Sequence, residues 1–509
     1  MKKLYSKKEK LLYSIIFTFI WGILAHGFCY FNLNFSHDSL LVIQDDISFQ
    51  ISIGRFIQPL YFLLRGNVYA PALVGFISLT FIGLSVFIIS LLFNTDNKLI
   101  LFIYSGLMTT SGTVALINAT YIHDADIYAL ALFFAVLGVY VCRNFKYGIP
   151  IAIIFFVITM GLYQSFFQVS IFLFMILACK DLLNKKDYKQ TVIDGLKSII
   201  ALIGGLIIYY LVFKSVLYVT NIDISTGYNG LSSVGHYSGI GSIIYCVKKT
   251  YMSVFGNFIH PATYNGKFIC ILTAVIVILS IYFIIRIMLV KKLSKKEIFT
   301  LFAIIVLMPF GMNFVCFISK GIEHHLMIYS FIFAYVFATE VFLLWINCKE
   351  GQNDCKKQTL SIIKQTAIPI ILLVIIFNNI VFSNQIYLKK QLEYDNTLIT
   401  MNRIVDRIEE TSNYVVGETP VMLIGDLESS PLSVKKDGFN NTATGLNLNF
   451  SVTYFDSYKR YFKYILNYPV NLLEATDEWI KKDVIKNMPS FPNKNSCKIV
   501  DGVMIVKLS

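Results

Sequence analysis

Long apolar stretches recur along this 509-residue chain, and they restrict the folds that it can adopt. Apolar residues make up 56% of the sequence, and many stretches reach about 20 residues, enough to cross roughly 30 Å of hydrocarbon. We therefore predict an all-α polytopic membrane protein with about eleven transmembrane helices. The predicted spans lie near residues 11–31, 69–93, 99–117, 126–142, 149–161, 167–179, 198–219, 268–290, 298–318, 326–347 and 360–382. The fifth and sixth are short, so they form either tilted half-length helices or a re-entrant hairpin.

The positions of lysine and arginine predict the orientation of these spans. Basic residues precede the first span and recur in alternate loops, for example at Lys98, Arg143, Lys185, Lys291 and Lys349. The amino terminus is therefore expected in the cytoplasm of a bacterial cell, with the carboxyl terminus outside the plasma membrane. The net charge of +13 follows from this bias and does not indicate a nucleic-acid partner. The first apolar run is longer than a cleavable signal core, so we expect an uncleaved signal anchor.

The composition changes near residue 382, which predicts two parts. Residues 1–382 form the transmembrane body, and residues 383–509 are more polar, without a spanning run. Within the second part, 385–411 has helical periodicity, 421–424 reads as a buried strand, and 497–506 reads as a hairpin around Asp-Gly. We predict a small extracytoplasmic α/β domain.

Two adjacent carboxylates, Asp45 and Asp46, follow the first span. The residues after them, from Ile47 to Leu64, are strongly apolar, so this loop is expected to pack on the membrane surface. A carboxylate in such a setting can have a raised pKa and act as a general base. The alternative is that both are solvated loop acids or helix amino-terminal residues.

Arg55 lies about ten residues after the acidic pair, in a loop with few other positive charges. A guanidinium group suits phosphate oxygens, so Arg55 is a candidate for binding a phosphorylated substrate. The alternative is an arginine that only extends to the interface.

His123, Asp124 and Asp126 lie between the third and fourth predicted spans. Three ionisable residues at the end of a span could bind sugar hydroxyls, or hold a divalent cation together with the acidic pair. Alternatively, Asp126 only caps the helix that follows. Tyr163 and Gln164 mark the turn of the short helical pair, where Gln164 either satisfies the backbone or contacts substrate.

A second ionisable group lies before the tenth span and consists of Lys320, Glu323, His324 and His325. Adjacent histidines point in different directions on a helix, so a dinuclear metal site is not expected. These residues are candidates for binding a phosphate or pyrophosphate. The stretch from Ile240 to Phe258 is amphipathic and is expected to lie along the membrane interface.

Motifs that bind nucleotides are not found in the sequence, which has no Walker A loop and no dinucleotide fingerprint. HExxH and GxSxG motifs in a suitable context are also missing. The donor of any transferred group is therefore expected to be membrane-embedded or already exported. Apart from the divalent cation considered above, no cofactor is predicted.

The arrangement resembles the Gtr type II family of serotype-converting glucosyltransferases, which are integral-membrane GT-C enzymes. The resemblance is carried by Asp45-Asp46, the element from Gly54-Arg55 to Pro59-Leu60, Asp124 and Asp126, Tyr163-Gln164, and the tail that begins near Tyr394-Asp395-Asn396. It implies a GT-C-like body that moves a hexose, such as glucose, from a polyprenyl-phosphate carrier to a surface polysaccharide such as O-antigen or cell-wall polymer. An acid of the first outer loop would deprotonate the acceptor hydroxyl, with inversion at the anomeric carbon.

The resemblance also implies partners, namely membrane lipid, a polyprenyl-phosphate sugar synthase and a flippase that supplies the donor. Two other functions remain open. A polysaccharide polymerase or ligase would bind lipid-linked oligosaccharides at both sites. A lipid-linked glycan transporter or flippase should show paired halves and charges at mid-membrane, whereas the sequence has no internal repeat.

Overall fold

Helices account for most of the first 409 residues. The computed structural model describes residues 6–33, 35–39, 48–66, 68–226, 237–259, 266–349, 357–436, 438–439, 443 and 445–509. The helices up to residue 220 are α1 (Lys7–Phe31), α2 (Ser48–Ser52), α3 (Gln58–Arg65), α4 (Pro71–Leu92), α5 (Lys98–Thr110), α6 (Gly112–Tyr121), α7 (Ala125–Asn144), α8 (Gly148–Tyr163), α9 (Phe167–Leu183) and α10 (Tyr188–Thr220). They are followed by α11 (Ile240–Ile259), α12 (Lys267–Val290), α13 (Lys295–Met312), α14 (Phe314–Ile318), α15 (Phe333–Lys349) and α16 (Lys357–Glu409).

Eight helical segments in the described ranges are long and apolar enough to cross a membrane. They are Lys7–Phe31, Pro71–Leu92, Gly112–Asn144, Gly148–Leu183, Tyr188–Thr220, Lys267–Val290, Tyr329–Cys348 and Ala367–Glu409. The helical membrane architecture is confirmed, but the count of eleven is not. One reason is that the span predicted at 99–117 is divided at Ser111, which leaves α5 with only 13 residues.

Capping residues explain where several of these helices begin. Ser6 and Glu9 form a capping box at the start of α1, and Ser294 and Glu297 form another at the start of α13. In each box the serine hydroxyl accepts the backbone N–H of the glutamate, whose carboxylate accepts the N–H of the serine. These bonds satisfy donors that have no partner within the helix.

Small residues allow close packing between the first membrane helices. A Cβ at Gly75 of α4 would lie 2.5 Å from the ring of Tyr30 in α1, and a Cβ at Gly138 of α7 would lie 2.5 Å from the ring of Phe156 in α8. Glycine therefore leaves room for an aromatic ring at both interfaces. In hydrocarbon, such close packing contributes much of the attraction between helices.

Helix α12 has one face buried against the protein and another exposed at the surface of the transmembrane body. Ile271, Ile278 and Ile285 recur every seven residues and are half or more exposed, whereas Ile276 and Ile287 are buried against the protein. A helix that is apolar on all sides but buried on only one is expected to face lipid with the other.

The C-terminal part contains a four-stranded mixed sheet in the order β2-β1-β4-β3. Its strands are β1 (Val421–Ile424), β2 (Leu472–Leu473), β3 (Cys497–Val500) and β4 (Val503–Lys507), and three short helices, α17 (Phe455–Arg460), α18 (Asp477–Ile480) and α19 (Asp483–Lys486), accompany them. Strand β1 is parallel to β2 and β4, and β3 and β4 are antiparallel. Asp501 and Gly502 join β3 to β4 with φ values of 49° and 78°, as a tight Asp-Gly turn requires. The predicted strand and hairpin are both confirmed.

Helix α16 belongs to both parts of the molecule. It runs without interruption for 53 residues, so the predicted boundary at residue 382 lies inside it. Met401, Ile404 and Ile408, near its end, pack into the core on one face of the sheet, as their spacing along one helix face allows. The division of the chain into two parts at 382/383 therefore stays a prediction from composition, because α16 continues across this position.

A buried ion pair connects α9 to α15. Lys180 Nζ lies 2.6 Å from Glu340 Oε2, and the Tyr104 hydroxyl donates to Glu340 Oε1 at 2.6 Å. Lys180 also donates to the carbonyl of Phe93 at 2.7 Å. The side chain of Glu340 is only 3% exposed, so its charge depends on these partners.

We predict that Lys180→Met lowers the free energy of unfolding by about 3–5 kcal/mol, because the Glu340 carboxylate loses its cation in a buried setting. Thermal unfolding of the purified protein in detergent measures this loss. The double variant Lys180→Met/Glu340→Gln should lose less, because no uncompensated charge remains. A single variant as stable as the unmodified protein would contradict the assigned role of the pair.

Candidate functional site

The acidic pair predicted to carry the chemistry, Asp45 and Asp46, lies outside the described residues. The segments on either side of the pair are described. Residues 35–39 precede it and lie beside the end of α6, where the Ser36 hydroxyl donates to the carbonyl of Thr120 at 2.7 Å. Helix α2 follows it and is connected to the start of α3 by the segment that contains Gly54.

This connecting segment is bound to the turn between α8 and α9. Gln164 Nε2 donates to the carbonyl of Ile53 at 2.7 Å, and the Tyr209 hydroxyl donates to the carbonyl of Gly54 at 3.0 Å. Ile57 N donates to the carbonyl of Gly161 at 3.0 Å. Side chains from the α8–α9 turn and from α10 therefore satisfy backbone carbonyls of the segment between α2 and α3. Gln164 and Ile53, which pair in this way, are 111 residues apart in the sequence.

Glycine is required at position 54 for two reasons. Its φ is +83°, a region that other residues rarely adopt. A Cβ there would also overlap the Tyr209 hydroxyl and lie 2.8 Å from Gln164 Nε2. The segment can approach the α8–α9 turn this closely only because no side chain intervenes.

Arg55 is positioned by the same contact. Its guanidinium carbon lies 4.8 Å from the centre of the Tyr163 ring, a distance typical of a cation–π contact. The Tyr163 ring is in turn packed edge-on against Tyr128, with centroids 4.4 Å apart. The structure thus brings together three of the residues that the sequence selected separately, Arg55, Tyr163 and Gln164.

Asp126 lies in the first turn of α7 and is fully buried. It accepts a hydrogen bond from the Tyr61 hydroxyl at 2.8 Å, and its Oδ2 lies 3.1 Å from Nε of Arg65. Its other oxygen accepts the N–H of Ile127 at 3.0 Å. With both oxygens paired inside the protein, Asp126 positions α3 against α7.

Arg65 is a residue that the sequence analysis did not select. Besides Asp126, its guanidinium donates to the carbonyl of His123 at 2.9 Å, and its side chain is only 4% exposed. Like Arg55, it is an arginine in a loop with few positive charges, and that signal could have identified it. Its contact with His123 fixes the short turn between α6 and α7.

His123, Asp124, His37, Asp38 and Tyr454 form what we call the α6-end cluster. His123 Nε2 is 3.8 Å from Asp124 Oδ2, and His37 Nε2 is 3.2 Å from Asp38 Oδ2. The Tyr454 hydroxyl, from the C-terminal part, donates to Asp38 Oδ1 at 3.1 Å. Only His123 and Asp124 were predicted, and the neighbouring ionisable pair His37-Asp38 in the same loop as the acidic pair was an unused signal.

The charge of Asp38 follows from its surroundings. Burial raises the pKa of its carboxyl group, but hydrogen bonds from His37 and Tyr454 and the adjacent imidazoles lower it by more, so its pKa lies below the ordinary value. Asp38 is therefore a carboxylate at neutral pH and acts only as an acceptor.

The second predicted group lies at the other end of α6. The Thr113 hydroxyl donates to the carbonyl of His325 at 3.0 Å, and Ser253 of α11 donates to Glu323 at 2.5 Å. Asn313 also donates to Glu323. Since α6 has ten residues, the two groups are separated by about 15 Å along its axis.

The local chemistry of this second group is set by burial and by a turn. Burial lowers the pKa of the His324 and His325 imidazoles, which are therefore neutral at neutral pH. Lys320 has a φ of +55° and precedes Gly321 in the turn that approaches Lys249 of α11.

The amphipathic stretch predicted at 240–258 is present as helix α11, with Ile244, Met252 and Phe255 exposed.

Residues 27–339 match a family model described as glucosyl transferase GtrII. The chain belongs to this family. The match covers more than half of the chain and includes every residue that the sequence analysis selected as a site residue. The resemblance stated from the sequence is thereby confirmed. No curated protein and no solved structure matches the chain significantly.

A metal site was one interpretation of the acids near α6. Among the residues that the structure describes, no group of three or more His, Cys, Asp or Glu side chains is arranged to hold a metal ion. The predicted divalent cation would use Asp45 and Asp46, which are outside these residues. In this member of the GtrII family, the described part of the site offers carboxylates, imidazoles, tyrosines and two arginines.

We predict that Gly54→Ala destabilises the protein by more than the strain of a positive φ, which costs about 1–2 kcal/mol. The added methyl group must displace Tyr209 of α10 or Gln164 of the α8–α9 turn and so break a contact with one of these elements. Gly417→Ala is the matched control, because Gly417 has a φ of +77° but its Cβ would meet nothing closer than 3.7 Å. Equal losses of thermal stability in the two variants would show that the close approach at Gly54 is unimportant.

Proposed function

We propose that this protein transfers a hexose, with glucose as the first candidate, from a polyprenyl-phosphate carrier to a surface polysaccharide. The family match over residues 27–339 carries this proposal, because the family name states both the transferred sugar and the reaction class. The apolar helices support a carrier that shares the bilayer with the enzyme. We further propose that the body is of the GT-C type.

In the proposed reaction, Asp45 or Asp46 accepts the proton of an acceptor hydroxyl. The hydroxyl oxygen then forms a bond to the anomeric carbon as the bond from that carbon to the phosphate oxygen breaks. Polyprenyl phosphate leaves with the electron pair of that bond, and the configuration at the anomeric carbon inverts. Asp46 is the preferred base, because it lies nearer to the apolar sequence that would desolvate it.

Arg55 is proposed to bind the donor phosphate. Its guanidinium lies against the Tyr163 ring, and the planar fork of a guanidinium group matches the geometry of phosphate oxygens. Arg55 follows Asp46 by nine residues, with the short helix α2 between them, so the base and the phosphate ligand belong to the same connection between α1 and α3. Lys320, Glu323, His324 and His325 are proposed to contact the substrate from the other end of α6.

Two alternative functions compete with this proposal. A polysaccharide polymerase or ligase would use the same type of acceptor but a lipid-linked oligosaccharide as donor. A transporter or flippase would move the lipid-linked glycan without breaking a glycosidic bond. The family description favours glucosyl transfer over both. Comparing the surface glycan composition of cells with and without the gene tests this directly, because only the transferase adds a sugar branch.

We predict that Asp45→Asn or Asp46→Asn reduces sugar transfer by about 10²–10⁴-fold, because asparagine cannot accept the proton. The variants are compared in a deletion strain by glycan modification, with protein amounts checked by blotting. Asp223→Asn is the control, since Asp223 is an exposed acid in another loop and its variant should modify the glycan normally. Near-normal modification by both single variants and by the double variant would refute the assignment of the base.

We propose that the reaction takes place on the outer face of the bacterial plasma membrane, with the amino terminus in the cytoplasm. A polyprenyl-phosphate sugar synthase and a flippase would then supply the donor from the inside. The alternating lysine and arginine bias supports this orientation.

We predict that alkaline phosphatase fused after Ser509 is active, because this reporter folds into its active form only outside the cytoplasm. The same reporter fused after Lys186, in a basic loop proposed to be cytoplasmic, should be inactive. The opposite pattern would place the acidic pair in the cytoplasm and would contradict the proposed donor.

A further inference from the structure

Three separate parts of the chain meet at the α6-end cluster. Residues 35–39 come from the loop after α1, His123 and Asp124 come from the turn after α6, and Tyr454 precedes α17 of the C-terminal part. The Tyr454 hydroxyl bridges the first and the last of these, with donor distances of 3.1 Å to Asp38 Oδ1 and 3.3 Å to the carbonyl of His37. The C-terminal part thus closes one side of the cluster.

Further contacts hold the segment before Tyr454 in place. Gly445 packs directly on Thr120 of α6, where its φ of +76° and the absence of a Cβ permit the approach. Lys389 of α16 donates to the carbonyl of Leu446. Asn396 of α16 donates to the carbonyl of Asn449 at 3.3 Å. The loop before Tyr454 is therefore held at several points, which fixes the position of the Tyr454 side chain relative to Asp38.

Two imidazole nitrogens in the cluster have no hydrogen-bond partner among the described residues. His123 Nδ1 is buried and has no hydrogen-bond partner among the described residues, and the His123 side chain is only 9% exposed. His37 Nδ1 is likewise buried without a partner in the described part of the chain. A buried polar atom left without a partner costs about 1–3 kcal/mol, so a molecule that pairs with these nitrogens would be bound more tightly.

The charge of the cluster decides which kind of molecule that is. Asp38 is a carboxylate, Asp124 is a second acid, and the Arg65 guanidinium is already paired with Asp126. A phosphate placed between the two acids would be repelled by both. Sugar hydroxyls suit the same groups, because a hydroxyl donates to carboxylate oxygens and either donates to or accepts from an imidazole nitrogen.

We propose that His37, Asp38, His123 and Tyr454 form the subsite for the sugar residue of the acceptor polysaccharide that receives the hexose. This inference rests on the proposed function, since it assigns the acceptor side of the same reaction. Asp38 accepts a hydrogen bond from one acceptor hydroxyl, and His123 Nδ1 and His37 Nδ1 bind others. Tyr454 holds Asp38 in place and forms the wall of the subsite.

The subsite assigns acceptor choice to a residue outside the family match. Tyr454 lies beyond residue 339, where the match to the GtrII model ends, whereas His37, Asp38 and His123 lie within it. In this proposal the C-terminal part contributes to the choice of the polysaccharide acceptor, and the transmembrane body catalyses the transfer.

The test compares the two substrates of the full-length enzyme in detergent. Polyprenyl-phosphate [¹⁴C]glucose is the donor, and surface polysaccharide isolated from a strain lacking the gene is the acceptor. In Tyr454→Phe and in His123→Ala, the KM for the polysaccharide should rise about threefold to tenfold, as expected for the loss of one hydrogen bond. The KM for the donor should change by less than twofold. Tyr464→Phe is the matched control, because Tyr464 is a more exposed tyrosine of the same part that contacts Lys463.

The other possible results contradict either the proposed subsite alone or the subsite together with the proposed function. An acceptor KM within twofold of the unmodified enzyme in both variants overturns the subsite, while transfer by the unmodified enzyme still supports the proposed function. Equal rises in both KM values also overturn it, because a general disturbance would affect donor and acceptor alike. An unmodified enzyme that transfers no glucose from this donor contradicts the proposed function and the subsite together.

Discussion

The need to pair polar groups inside the membrane determines how the broken helices of this protein are held. Hydrocarbon supplies no hydrogen bonds, so irregular backbone there must be satisfied by other parts of the protein. At the break between α5 and α6, His26 of α1 lies 2.9 Å from the carbonyl of Thr109, and the Tyr329 hydroxyl donates to the carbonyl of Met108 at 2.8 Å. Gln168 of α9 serves two other breaks, since it accepts the N–H of Val315 at 3.1 Å and donates to the carbonyl of Met327.

The same rule explains the shape of the candidate site. Gln164 and Tyr209 satisfy the carbonyls of Ile53 and Gly54, which fixes the loop that carries Arg55. Arg65 and Tyr61 pair with Asp126, which fixes α3 against α7. Arg55, which is proposed to bind the donor phosphate, is thus carried by a segment whose backbone is fixed by buried hydrogen bonds, and a rigid support of this kind favours precise positioning.

Most of the architecture could be predicted from local sequence, whereas the site could be predicted only in part. Apolar runs identify membrane helices because burial in lipid requires them, and Asp-Gly between two β-rich runs identifies the terminal hairpin. The pairing of Arg65 with Asp126 and of Tyr454 with Asp38 joins residues 61 and 416 positions apart in the two cases. Such contacts depend on tertiary packing, and one sequence contains no local signal for them. The continuity of α16 was missed for a different reason, because a change in composition does not mark the end of a helix. Its polar second half contains the buried pair Lys390–Glu393.

Helix α16 has a mechanical consequence for the molecule. At 53 residues it is about 80 Å long, and its two ends belong to the membrane body and to the core of the C-terminal part. The C-terminal part is also joined to α6 through Gly445 and to the loop after α1 through Tyr454, so a tilt of α16 in the bilayer would strain these contacts. A change in bilayer thickness that tilts the helix would therefore be transmitted to the contact between Tyr454 and Asp38.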